Sequence, residues 1–62
     1  MVITSASGRK LTVVPGRTVI HFRDGAIQED IYTADTTFEA GQWAAFKNRN
    51  TGPNRMFLVV PE

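Results

Sequence analysis

Apolar and polar positions alternate most clearly from Arg17 to Thr33 (RTVIHFRDGAIQEDIYT), where two runs rich in β-branched and aromatic residues flank Asp24-Gly25. A period of two is the pattern of a strand. An Asp-Gly pair accepts the positive φ angles of a two-residue type I′ turn, so the stretch predicts a β-hairpin. Closing the turn there sets Phe22 opposite Ile27, His21 opposite Gln28, Ile20 opposite Glu29 and Thr18 opposite Ile31. Successive strand side chains point to opposite faces. Ile20, Phe22, Ile27 and Ile31 then share one face, expected to be core. Val19, His21, Gln28, Asp30 and Tyr32 share the other, expected to be the wetter side.

The flanking segments add shorter signals. Met1 to Thr4 reads as an edge strand, and Ser5-Ala6-Ser7-Gly8 as a turn. Leu11 to Val14 is a second β-type run stopped by Pro15-Gly16, which suits a type II turn with Pro at its second position and Gly at its third. Strands at 10–14, 17–23 and 26–33 would then form a meander. Arg55 to Val60 (RMFLVV) is a further strand. The turn formers Asn50-Thr51-Gly52-Pro53-Asn54 precede it.

Between Ala34 and Asn50 helix and strand compete. Thr36-Thr37-Phe38-Glu39 fits a capping box, and Lys47 and Arg49 suit the C-terminal end of a helix dipole. Against a helix, Gly41 lies inside, and Phe38, Trp43 and Phe46 spread over about 140° instead of forming one stripe. The spread favours a strand over 42–48, returning as a hairpin beside 55–60. The fold expected is mainly β: a small antiparallel sheet or open barrel of four to five strands, with one short helix near 37–47 as the alternative.

Residues 40–60 (AGQWAAFKNRNTGPNRMFLVV) resemble the second signature motif of the cupins, with Gly41 and Asn48 at its spacing. The resemblance covers about a third of the chain and implies a strand–turn–strand over 42–60. Where that family places a metal-ligand His this chain has Ala44, and the first cupin motif is absent, so the resemblance implies no metal.

Composition sharpens this picture in three ways. At 62 residues there is room for one small β-rich domain, and a domain of this size buries only about 60% of its unfolded surface. Such domains are usually supported by disulfides, metals or association. With no Cys and a single His, association is the support left. Seven basic and six acidic residues are scattered to a net charge of +1, which is not the footprint of a dedicated nucleic-acid binder. No apolar run approaches a membrane span, and MVITSASGRK lacks the apolar core of a secretion signal. A cytoplasmic or virion-associated location is expected.

Candidate chemistry is thin. His21 is the only imidazole, and Glu29-Asp30 point to opposite strand faces and cannot form a carboxylate dyad. Gly8-Arg9-Lys10 lacks the upstream Gly of a phosphate-binding loop. No catalytic residue, metal ligand or cofactor is expected, and the protein is not expected to be an enzyme. The expectation is a structural or interaction module that self-associates or docks on a larger protein assembly, through Tyr32, Trp43, Phe46, Arg49 and Arg55. Small Cys-free β modules among phage accessory and virion proteins supply the analogy, which is one of size and type. One alternative is a small barrel binding single-stranded nucleic acid, with Trp43, Lys47 and Arg49 in line and Arg55 across the loop. A second is an inhibitor of a host enzyme, using Glu29, Asp30, Asp35 and Glu39 to mimic nucleic acid.

Overall fold

A computed structural model describes residues 1–62. Its elements are β1 (Val2–Thr4), β2 (Lys10–Thr12), β3 (Thr18–Arg23), β4 (Ala26–Ile27), β5 (Tyr32–Thr33), α1 (Thr37–Arg49) and β6 (Arg55–Val59). The fold is mainly β, with two small antiparallel sheets and one helix, and the sheets are open. β3 is the central strand: β4 and β5 share one edge, and β6 fills the other with Val19↔Val59 through Arg23↔Arg55 in register.

The hairpin closes where the sequence placed it. Asp24 and Gly25 both take positive φ, 53° and 80°, and Phe22 pairs with Ile27. Further along, the pairing departs from the simple register. Thr18 meets Thr33 and Val19 meets Tyr32, so two extra residues are accommodated between 28 and 31. An insertion of two preserves which face each side chain takes. It also lifts the chain out of the ladder beside His21, whose carbonyl accepts from the Gln28 amide at 2.8 Å.

The meander does not form. Pro15-Gly16 makes the expected turn, with Arg17 N–H donating to Val14 O at 3.0 Å and Gly16 at φ 82°. Thr18 Oγ1 then accepts from the Val14 amide at 2.7 Å, taking up a donor that a ladder would have used. β2 therefore leaves β3 and pairs with β1 in a separate hairpin, Val2↔Thr12 to Thr4↔Lys10. That hairpin covers the Ile20 face: Val13, Ile20 and Val60 form one core cluster, flanked by Ile3, Phe22, Ile27 and Ile31.

The second face of β3 is dry, contrary to the expectation for Val19 and His21. Both are buried beneath α1, and the second core cluster joins Val19, Ala34, Ala40, Ala44 and Phe57. Helix, not strand, wins at 42–48. Thr36 caps it, accepting from the Glu39 amide at 3.1 Å, and Asn50 closes it with its amide on Lys47 O. The side that packs inward is marked by two alanines one turn apart, Ala40 and Ala44, while Phe38 and Phe46 face outward. The strand–turn–strand implied by the cupin-like stretch is thus absent. β6 pairs with β3, and α1 reaches it through Asn48, whose side chain both donates to Phe57 O (2.9 Å) and accepts from Phe57 N–H (2.8 Å).

Candidate functional site

The two-residue insertion in the β3–β5 ladder carries Asp30 over His21. The Asp30 carboxylate accepts from His21 Nδ1–H, at 3.1 and 3.2 Å to its two oxygens. The imidazole is 5% exposed and stacks flat on Phe57, its register partner, at 4.4 Å between centroids and 2° between planes. With the proton on Nδ1 directed at a carboxylate, Nε2 presents the remaining lone pair. That nitrogen is buried and has no partner. Thr51 Oγ1, in the loop after α1, is buried and unpartnered too.

Both orphaned atoms belong to residues lining one open depression of about 370 Å³ between α1, β5 and β6. Trp43, Tyr32, Lys47 and Arg55 complete most of its wall. Tyr32 stacks on Trp43 at 4.7 Å, Trp43 meets Phe57 edge-on at 5.6 Å, and Lys47 Nζ lies 5.2 Å from the Trp43 ring centroid. Arg9–Glu29 is the one ion pair between fully charged side chains, and the Asp30 carboxylate is taken by His21 Nδ1–H. Lys47, Arg49 and Arg55 therefore have no carboxylate partner. No three His, Asp or Glu side chains are gathered to hold a metal ion.

The five residues expected to touch a partner separate into two groups. Tyr32, Trp43 and Arg55 line the depression, with Lys47. Phe46 and Arg49 lie on the outer face of α1 with Phe38, which sequence reasoning left out of the set. Phe38 and Phe46 are 74% and 63% exposed, more than any other aromatic side chain here. Of the acidic residues, Glu29 is held by Arg9 and Ser7, and Asp30 by His21. The chain matches no family model, no curated protein and no solved structure. No helix is long and apolar enough to cross a membrane.

The outer face of α1 has a definite relief. Phe38, Gln42 and Phe46 are spaced four apart and form one ridge, with the two rings about 40° to either side of Gln42 at 100° per residue. Beside it runs a shallow row, Gly41 and Ala45, also four apart and exposed. Asp35 precedes the helix and Arg49 ends it, seven residues to each side of Gln42. The sequence signal for this face was present in the Phe38–Phe46 spacing. It is obscured because Phe38, Trp43 and Phe46 together spread over about 140° and do not read as one helical stripe.

Proposed function

We propose that the protein is a non-enzymatic interaction module that pairs with a second copy of itself through the outer face of α1. The observation that carries this reading is the self-complementary arrangement about Gln42. In an antiparallel pairing with its two-fold axis at Gln42, Phe38 of one copy meets Phe46 of the other, and Asp35 meets Arg49. The two aromatic ridges stack on each other, and the shallow Gly41–Ala45 row beside each leaves room for the rings. Association would also supply the support that a Cys-free core of nine buried apolar residues, three of them alanine, does not provide alone. A symmetric pair of this kind is a natural unit for docking on a larger assembly, and the phage accessory analogy stays one of size and type.

A single introduced thiol tests the pairing, because the chain has no Cys of its own. Gln42→Cys places the thiol on the axis, where two copies meet, and oxidation should give a covalent dimer in high yield. Thr12→Cys, exposed in β2, should stay monomeric under the same conditions. Equal cross-linking of the two variants, or none at Gln42→Cys, contradicts this face. A dimer that survives Phe46→Glu would instead direct attention to Met56 and Leu58, the half-exposed apolar pair on β6.

A further inference from the structure

We infer that the depression between α1, β5 and β6 is a binding site for the phosphate group of a small phosphomonoester. It lies on a different flank of α1 from the pairing face and does not depend on it.

Four features converge on this ligand. Lys47 and Arg55 border the depression as cations with no carboxylate partner. Asp30 is the only acid in the lining, and its carboxylate is engaged by His21 Nδ1–H. Two buried polar atoms, His21 Nε2 and Thr51 Oγ1, lack partners, and an unmatched buried polar group costs free energy unless a ligand or water completes it. The imidazole is held rigidly by Phe57 on its face and Asp30 at its far nitrogen, so Nε2 is fixed in direction.

Nε2 also discriminates among oxyanions. With Nδ1–H on Asp30, Nε2 is an acceptor and needs a donor. A phosphomonoester takes up its second proton near pH 6, and the P–OH of its monoanion can donate to that lone pair. Sulfate and phosphodiesters carry no such proton at neutral pH and leave Nε2 unpartnered. The Thr51 hydroxyl donates to a second oxygen, while Lys47 and Arg55 supply charge-assisted contacts. Tyr32, 39% exposed and stacked outside Trp43, offers a flat apolar surface to the organic part of the ligand.

Trp43 is the only tryptophan and lines the site, so its fluorescence reports binding directly. The titration uses inorganic phosphate and a simple phosphomonoester such as phosphoserine, with sulfate and dimethyl phosphate as controls, all at constant ionic strength. The expected result is a saturable change with both phosphates, at least about tenfold weaker with both controls. Lys47→Met and Arg55→Gln should each weaken binding by about tenfold or more with the far-ultraviolet circular dichroism unchanged. The ¹⁵N resonance of His21 Nε2 should move on saturation. A stronger response to phosphoserine than to phosphate assigns the natural ligand to the ester. Absence of a saturable response, equal binding of sulfate or dimethyl phosphate, or binding unaffected in both cation variants overturns the assignment.

Discussion

Asn48→Ala probes how a helix holds an edge strand in this fold. Asn48 lies in the last turn of α1 and offers Phe57 one donor and one acceptor, at 2.9 and 2.8 Å. That is the pair of contacts a neighbouring strand would supply. Phe57 is 6% exposed and holds His21 and Trp43 together, so loosening its backbone loosens the centre of the helix-side core. Two neutral hydrogen bonds contribute about 1 kcal/mol each. Because Asn48 itself is exposed, water can replace part of the loss, which keeps the cost near 2 kcal/mol and not higher. Alanine is the better helix former by about 0.6 kcal/mol, which offsets some of it. The net expectation is a loss of about 1–2 kcal/mol, out of about 3–9 kcal/mol for a domain of 62 residues. At about 4–8 °C per kcal/mol, Tm should fall by about 5–15 °C. Urea unfolding followed by Trp43 fluorescence measures the free energy, and a thermal scan gives Tm. A variant as stable as the parent would show that the Asn48–Phe57 contacts do not hold α1 to β6.

Other substitutions separate the remaining parts of the account. Thr18→Val keeps the shape but strips a fully buried hydroxyl that accepts from the Val14 amide and is bonded to Thr33 Oγ1 at 2.8 Å; urea unfolding should show a loss of about 1–3 kcal/mol. Gly25→Ala meets no neighbour within 4 Å but must hold φ 80°, so its cost of about 1–2 kcal/mol should come from backbone strain alone, read as an equal drop in unfolding free energy. Gly41→Ala likewise meets nothing within 4 Å and stands inside a helix at ordinary φ, so it should stabilise the monomer by about 1 kcal/mol. Gly41→Leu fills the shallow row beside the ridge and should weaken self-association by about tenfold or more in sedimentation experiments.

Local chemistry was legible where one residue type dictates one geometry. Asp24-Gly25 and Pro15-Gly16 gave their turns, Thr36 and Glu39 gave the helix start, and the Ile20–Phe22–Ile27–Ile31 face was read correctly. The misreadings share a cause, which is that pairing partners are set by tertiary contacts. Thr18 takes the Val14 amide and so turns β2 away from β3, an outcome a strand pattern does not encode. Val19 and His21 read as half-wet from alternation alone, because the cover that buries them is α1, which strand periodicity does not encode. That helix was hidden because its inner surface is Ala40 and Ala44, small enough for α1 to lie close on Val19 and Phe57, while its large aromatics face out. Tyr32, Trp43 and Arg55, expected as partner contacts, all line the depression, but the approach of Asp30 to His21 depends on two residues inserted into a ladder, and alternation predicts a regular one.

The most direct test of the central claim is the mass of the protein in solution, by sedimentation equilibrium over a wide concentration range, for the parent chain and for Phe46→Glu. Pairing through α1 predicts a concentration-dependent dimer near twice 6.9 kDa for the parent, and a folded monomer for the variant. A parent chain that remains monomeric throughout, or a Phe46→Glu dimer of undiminished affinity, would contradict it.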